Sequence, residues 1–239
     1  MLAFMPMCFA NAGGATPGEL MYESYVTGQM HHWRQALVLL ERERVANANF
    51  TNLWNEALAR YGYAGYCIEA KLPGEARLMV DAGWTCVAMM HRMAPDSGPL
   101  EALRGAYCEL EMALSSVKIP VYGPMLYQAS KRSMQLSPND AYCLAERALY
   151  LWHAPSWVGG DRGEALVKYQ QAIALLEKQN RQKDWYYLHT LTLLAQAFDS
   201  SQRVVEARAV YEKIIRIEPR YHRVTNQLYP AFCSRNTLP

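Results

Sequence analysis

The sequence predicts an all-α fold, and three observations support that prediction. Large apolar residues recur at helical spacing through most of the chain, which is typical of helices with one buried face. The chain holds 14 glycines and 12 prolines in 239 residues, and they cluster between these apolar stretches. An all-β sandwich would instead place turn residues every 8 to 12 residues or so. The helical stretches also recur in pairs, which indicates a repeat architecture.

The first two helix pairs occupy the N-terminal third of the chain. Thr16 and Pro17 form a favourable N-cap and first turn, and the helix after them has a partner around residues 33–40. In the second pair, a helix containing residues 54–61 is joined to one containing residues 76–83. Residues 69–75 make that connection.

The third and fourth pairs have unusual connections. The third pair ends on apolar and small positions before Pro138, and its helices are expected to be joined by a loop at residues 118–124. In the fourth pair the connection covers residues 154–161. Both loops contain proline, glycine and an aromatic residue, so we expect them on one edge, with Tyr122 near Trp157. Trp157 is expected to plug the end of the core, with a partner contact as the alternative.

The fifth pair, residues 188–221, has the most regular spacing. Leu191, Ala195 and Phe198 share a stripe of its first helix, and Ala207, Tyr211 and Ile214 share one of its second. A polar turn at residues 199–203 joins them, and Pro219 ends the second helix. Residues 222–229 are expected to form a short capping helix that ends at Pro230.

This order of large, small and proline positions resembles the tetratricopeptide repeat family, whose unit is about 34 residues long. Segments such as Pro155 to Asp161, Asp184 to Leu188 and Asn226 to Pro230 further resemble exported bacterial tetratricopeptide proteins of unknown role. The resemblance implies a right-handed solenoid of about five degenerate helix pairs with a short C-terminal capping helix. It implies no substrate.

The N-terminus and the composition suggest where the protein acts. Residues 1–12 have the apolar run and small-residue triplet of a remnant signal peptide, so we expect export to the periplasm or beyond, with a cytoplasmic location as the alternative. Residues 13–239 are then a single repeat domain. A net charge of +2 disfavours nucleic-acid binding. No apolar run reaches the roughly 20 residues of a transmembrane helix. Cys67, Cys86, Cys108 and Cys143 are expected to fill helix interfaces as free thiols.

No motif for catalysis, metal binding or a cofactor stands out, so we expect a protein that is not an enzyme. The predicted function is a monomeric scaffold that binds a partner polypeptide on its concave face. The alternative is an exported carrier of a small ligand or glycan with an aromatic-lined pocket. A long groove would favour the first function, and a deep pocket ringed by Tyr and Trp would favour the second. The candidate partner-binding residues are Tyr63, Tyr66, Tyr107, Tyr142, Glu146, Trp152, His153, His189 and Gln196.

Overall fold

A computed structural model describes residues 14–237, and these residues contain helices and no β-strand. The all-α prediction is therefore confirmed. The α-helices are α1 Pro17–Thr27, α2 Met30–Ala46, α3 Phe50–Glu69, α4 Pro73–Met93, α5 Gly98–Leu114, α6 Ile119–Leu136, α7 Ala141–His153, α8 Arg162–Lys178, α9 Trp185–Ser200, α10 Val204–Ile217 and α11 Tyr229–Arg235. Short 3-10 segments cover Ser116–Lys118 and Ser156–Val158, and a π-helical turn covers Val224–Leu228. The expected signal peptide, residues 1–12, lies outside the described residues.

The helices pack in consecutive pairs: α1 with α2, α3 with α4, α5 with α6, α7 with α8, and α9 with α10. Neighbouring pairs meet where the second helix of one pair contacts the first helix of the next. In addition, α3 packs against α5, and α5 packs against α7. The first helix, α1, also contacts α9, so the N-terminal pair and the C-terminal pair meet.

The first helix begins where the sequence predicts. The side-chain oxygen of Thr16 accepts a hydrogen bond from the backbone N–H of Glu19, and the Glu19 carboxylate accepts one from the Thr16 N–H at 2.8 Å. This reciprocal capping box satisfies two N–H groups that a helix start leaves unpaired. Gly28 then ends α1 with a φ of 76°, a left-handed conformation that glycine adopts without steric cost.

The predicted loop at residues 118–124 is wrong, because this segment is helical and α6 begins at Ile119. Pro120 lies in the first turn of α6, where a missing N–H group costs nothing. Pro124 lies one turn further along, so the bond it removes is one to the carbonyl of Pro120. The other predicted connection, residues 154–161, is confirmed as the link between α7 and α8.

The predicted stop at Pro230 is also wrong. Pro219 follows the end of α10 as expected, but Pro230 lies in the first turn of α11, a position where proline is tolerated. The capping segment therefore extends through Arg235. Phe232 of this segment is buried and lies 5.3 Å from the ring of Tyr211, which covers the apolar end of the last pair.

Trp157 does not plug the core, because 84% of its surface is exposed. The loop is instead anchored by Tyr150, whose hydroxyl donates a hydrogen bond to the carbonyl of Val158. Gly159 follows with a φ of 86° and turns the chain back toward α8. Tyr122 lies on α6 with its ring 6.3 Å from that of Trp84, so it does not stand at a loop tip.

The four interior cysteines are buried free thiols, as the sequence predicts. Burial raises the pKa of Cys67 and of Cys86 to about 11, and that of Cys108 to about 12. These thiols therefore stay protonated and pack as small apolar groups. In the part of the chain that the structure describes, no helix has both the length and the apolar character needed to cross a bilayer.

Candidate functional site

A cluster of large rings fills the space where the first and last helix pairs meet. Trp33 on α2 and Trp185 on α9 have ring centroids 5.0 Å apart, in an edge-to-face arrangement. Tyr25 on α1 lies 5.9 Å from Trp185 and 5.2 Å from Tyr221, which follows α10. Edge-to-face and tilted contacts of this kind are favourable, because the positive edge of one ring meets the negative face of another.

The close approach of these rings depends on a glycine in α3. A Cβ atom added at Gly62 would lie 2.7 Å from Cζ2 of Trp33 and 2.9 Å from Cη2 of Trp185. The indole N–H of Trp33 donates to the carbonyl of Ala59, at 3.0 Å, on the same helix. Any larger residue at position 62 would push both indoles away from α3.

Beside this cluster lies a cavity of about 410 Å³, which we call the aromatic pocket. Its wall combines rings, small residues and a few polar side chains from both ends of the chain. The lining residues are Ser24, Tyr25, Gly28, Met30, Trp33, Tyr61, Gly62, Gly65, Tyr66, Glu69, Leu110, Trp185, His189, Tyr221, His222, Arg223, Gln227 and Leu228. This volume is within the range of roughly 300–1,000 Å³ that is typical of small-molecule sites.

Gly65, one turn beyond Gly62 on α3, helps to create the empty volume. A Cβ atom at Gly65 would find no atom within 4 Å. The helix would accept a larger residue there, because its backbone is ordinary helix and glycine is a poor helix former. The side chain of such a residue would enter the pocket.

An ion pair stands at the rim of the pocket. Nη1 of Arg223 donates to one carboxylate oxygen of Glu69 at 2.8 Å, and Nη2 donates to the other at 3.1 Å. This bidentate pair joins the segment after α10 to the end of α3, and Nη1 of the neighbouring Arg220 donates to both carboxylate oxygens of Glu23 on α1. The rim therefore joins elements that are far apart in the sequence.

His189 of α9 is the histidine of the pocket wall. The hydroxyl of Tyr25 lies 3.1 Å from its Nδ1 atom. Burial, with the nearby positive charge of Arg223, lowers the pKa of His189 to about 4, so the ring is neutral at pH 7. Burial also raises the pKa of Tyr25 well above its usual value, which keeps that hydroxyl protonated.

Two carboxyl groups lie deeper in the interior, on α5 and α7. Glu146 accepts a hydrogen bond from the hydroxyl of Tyr186 at 2.7 Å, and burial raises its pKa to about 7. Burial and the proximity of Glu146 raise the pKa of Glu109 well above its usual value. A space of about 10 Å³ between these helices is large enough for one water molecule and no ligand.

A second cavity, of about 340 Å³, lies on the other side of Trp185. Pro17, Trp54 and Asp184 contribute to its wall, together with basic residues of the connection between α8 and α9. In residues 14–237, no group of three or more histidine, cysteine or acidic side chains is placed to hold a metal ion.

The predicted site residues fall into three groups. Tyr66 and His189 line the aromatic pocket. Four others are buried between helices: Tyr63, Tyr107, Tyr142 and Glu146. The remaining three lie on partly or fully exposed helix surface away from the pocket: Trp152, His153 and Gln196. A role in partner binding stays a prediction for all nine residues.

Burial of the second group has a direct packing explanation. The hydroxyl of Tyr107 donates to the carbonyl of Ala57 at 2.7 Å, and that of Tyr63 donates to Glu75 at 2.9 Å. Tyr107 also occupies the space beside Gly83, where a Cβ atom would overlap its ring. These side chains therefore join neighbouring helices.

Sequence reasoning missed most of the pocket wall, including Tyr25, Trp33, Tyr61 and Trp185. Their position depends on the contact between α1 and α9, which joins residues more than 150 positions apart. The pair of glycines one turn apart, Gly62 and Gly65, was the local signal in the sequence that a helix face needed room. Comparisons with protein-family models, with curated proteins and with solved structures found no match to this chain.

Proposed function

We propose that this protein is a non-catalytic carrier or sensor that binds a small ligand in the aromatic pocket. The observation that carries the proposal is the pocket itself, a cavity of about 410 Å³ with aromatic walls between the first and last helix pairs. A few polar groups in a mostly apolar cavity are the usual composition of a small-molecule site. Of the two functions considered from the sequence, a pocket ringed by Tyr and Trp favours the small-ligand carrier.

The contact between α1 and α9 supports this choice over a groove for an extended polypeptide. Rings from α1, α2 and α9 pack against one another at centroid distances of 5.0 to 6.3 Å. An extended peptide would have to separate these rings before it could lie between the two ends of the chain. A small molecule can occupy the existing volume.

The architecture that we propose for this function is a right-handed tetratricopeptide-like solenoid of about five helix pairs, capped by the C-terminal helix. The consecutive pairing of helices and the regular spacing of the α9 and α10 pair support it. Export of the protein, with removal of residues 1–12, belongs to the same proposal. It is supported by the apolar run and small-residue triplet at the N-terminus.

A second candidate function is the binding of a partner protein on the outer surface. Trp157 favours it, because an indole that is 84% exposed on a short loop between Pro155 and Gly159 is an unusual surface feature. Large aromatic residues of this kind often dominate protein–protein contacts. The two candidate functions use different surfaces and are tested separately.

The small-ligand function can be tested by ligand-observed NMR with a chemically diverse fragment collection. Three proteins are compared: the wild type, Gly65→Leu and Gly123→Leu. Gly123 is a matched control, because it lies in α6, away from the pocket, and a Cβ atom there also meets nothing within 4 Å. We expect compounds that bind the wild type and Gly123→Leu but lose at least about tenfold in affinity with Gly65→Leu. Binding that Gly65→Leu leaves unchanged, or no binding to the wild type, would overturn the proposal.

A further inference from the structure

The aromatic pocket contains polar atoms that no protein group satisfies. Within residues 14–237, the hydroxyl of Tyr61 makes no hydrogen bond to a protein group, but this atom is not sealed from water. The Nε2 atom of His189 also has no partner, while Nδ1 is engaged by Tyr25. A ligand that covers these atoms must replace the hydrogen bonds of the displaced water, because a polar group left buried without a partner costs about 1–3 kcal/mol.

These polar atoms are of one kind, because each belongs to a neutral group. The imidazole of His189 is neutral near pH 7, since burial lowers its pKa to about 4. The hydroxyl of Tyr61 stays protonated, since burial raises its pKa well above the usual value. A hydroxyl group on a ligand, which can both donate and accept a hydrogen bond, matches both of them.

The charged side chains at the rim, Arg223 and Glu69, neutralise each other. Both guanidinium Nη atoms are used in the bidentate pair, at 2.8 and 3.1 Å. A charged ligand near this pair would be repelled by the member with the same charge as well as attracted by the other, so the pair offers it little net attraction. An uncharged ligand leaves the ion pair intact and can form hydrogen bonds with the outer edges of Arg223 and Glu69.

The rest of the wall of the aromatic pocket consists of aromatic rings and open space. Tyr25 and Tyr66 are the less buried rings of the pocket, and Gly65 leaves open space on the facing side of α3. The face of an aromatic ring carries partial negative charge and attracts weakly positive C–H groups. A saturated ring with C–H groups on one face and hydroxyls around its edge satisfies the apolar and the polar parts of this wall together.

We infer that the ligand of the aromatic pocket is an uncharged saccharide, with its ring against the tyrosine faces and its hydroxyls near His189 and Tyr61. This inference rests on the proposed small-ligand function and specifies its chemistry. A purely apolar ligand would leave His189 and Tyr61 unpaired. A charged one would compete with the bidentate ion pair.

The test is isothermal titration of the full chain with three panels of probes. The first contains neutral mono- and disaccharides, such as glucose, galactose, N-acetylglucosamine, maltose and cellobiose. The second contains charged aromatic compounds, such as benzoate and benzylamine, and the third contains uncharged apolar compounds, such as indole. We expect saturable binding in the first panel, lost with Gly65→Leu and retained with Gly123→Leu.

Two further variants test the hydrogen bonds. Tyr61→Phe and His189→Phe keep the rings and remove the free polar atoms, and each should weaken saccharide binding about tenfold or more. Both variants should keep any affinity for indole. A variant that failed to fold would lose this affinity as well. Unchanged saccharide affinity in both variants would overturn the inference.

The outcomes separate this inference from the function on which it rests. If compounds of the second or third panel bind with dependence on Gly65 and saccharides do not, the small-ligand function stands and the saccharide inference is wrong. If no panel binds and the fragment screen also finds nothing, both are wrong. Saccharide binding that Gly65→Leu leaves intact would also overturn the inference, because the sugar would then lie elsewhere.

Discussion

The edge of Trp33 lies in the space that a side chain at Gly62 would occupy, with Cζ2 of the indole 2.7 Å from the expected Cβ position. Trp185 approaches the same glycine from α9, at 2.9 Å. One missing side chain thus allows the second helix of the first pair and the first helix of the last pair to meet on α3. This meeting forms one side of the aromatic pocket.

Replacing this glycine should destabilise the protein. We expect Gly62→Ala to lower the free energy of unfolding by about 1–3 kcal/mol, because the new methyl group forces both indoles to move. Urea titration followed by circular dichroism measures the change. The matched control is Gly74→Ala, at an open position in the first turn of α4, which should raise stability by about 0.4–1 kcal/mol. Equal effects of the two substitutions would contradict the close packing at Gly62.

The helix ends were predictable because local chemistry determines them. The Thr16 and Glu19 capping box and the proline after α10 are visible within four or five residues of sequence. The same rules failed at residues 118–124, where Pro120 and Pro124 suggested a loop. A proline in a first turn begins a helix as readily as it marks a connection, and spacing alone does not distinguish the two.

The pocket was not predictable in the same way. Tyr25 and His189 are separated by 164 positions, and their contact at 3.1 Å depends on how far the array of helices curves. Curvature is the sum of small rotations between successive pairs, which helix periodicity does not specify. The offset of His189 within its helix makes it a candidate, but its place in the wall of the aromatic pocket depends on the position of α1.

The buried carboxyl of Glu146 should make stability depend on pH. Its pKa is about 7 in the folded protein, against an ordinary value of 4.5. Between these values the folded protein keeps a proton that the unfolded chain has released, so stability falls as pH rises from about 4.5 to 7. The full difference corresponds to on the order of 3 kcal/mol.

Glu146→Gln removes the part of this dependence that Glu146 contributes, while the buried Glu109 keeps its own, since the amide carries no charge and its oxygen can still accept the hydrogen bond from Tyr186. Thermal unfolding should show that the stability of the variant relative to the wild type is higher at pH 8 than at pH 4.5. The control is Glu212→Gln, because Arg208 lowers the pKa of this exposed carboxyl. The stability of Glu212→Gln relative to the wild type should therefore be lower at pH 8 than at pH 4.5. A constant difference between Glu146→Gln and wild type at both pH values would contradict the prediction.

His189 should make stability depend on pH in the opposite direction to Glu146, and at lower pH. Its pKa is about 4 in the folded protein, against an ordinary value of 6.5, so stability is lost as pH falls through this interval. Proton NMR titration should show the ring of His189 still neutral at pH 5.5. His189→Gln should reduce the loss of stability between pH 6.5 and 4.5, and His91→Gln, at an exposed position, should not. A His189 midpoint near 6.5 would show that the pocket wall is open to water.

Trp157 and Trp33 should respond very differently to the same substitution. Trp157→Ala should change the free energy of unfolding by less than about 0.5 kcal/mol, because 84% of the residue is already exposed. Trp33→Ala should cost about 3–5 kcal/mol, because this indole is fully buried and its N–H bonds to Ala59. Thermal unfolding of the two variants side by side gives the comparison.

Trp157→Ala, compared with Gly65→Leu, also tests the second candidate function. If the loop that carries Trp157 binds a partner protein, Trp157→Ala removes the main contact while the folded protein is unchanged. Affinity capture from the native host, followed by mass spectrometry, should then lose specific proteins with Trp157→Ala and keep them with Gly65→Leu. Proteins that depend on Gly65 and not on Trp157 would instead place the protein interface at the aromatic pocket. A large loss of stability in Trp157→Ala would mean that the indole packs against the helices in solution, in contradiction to its exposed position.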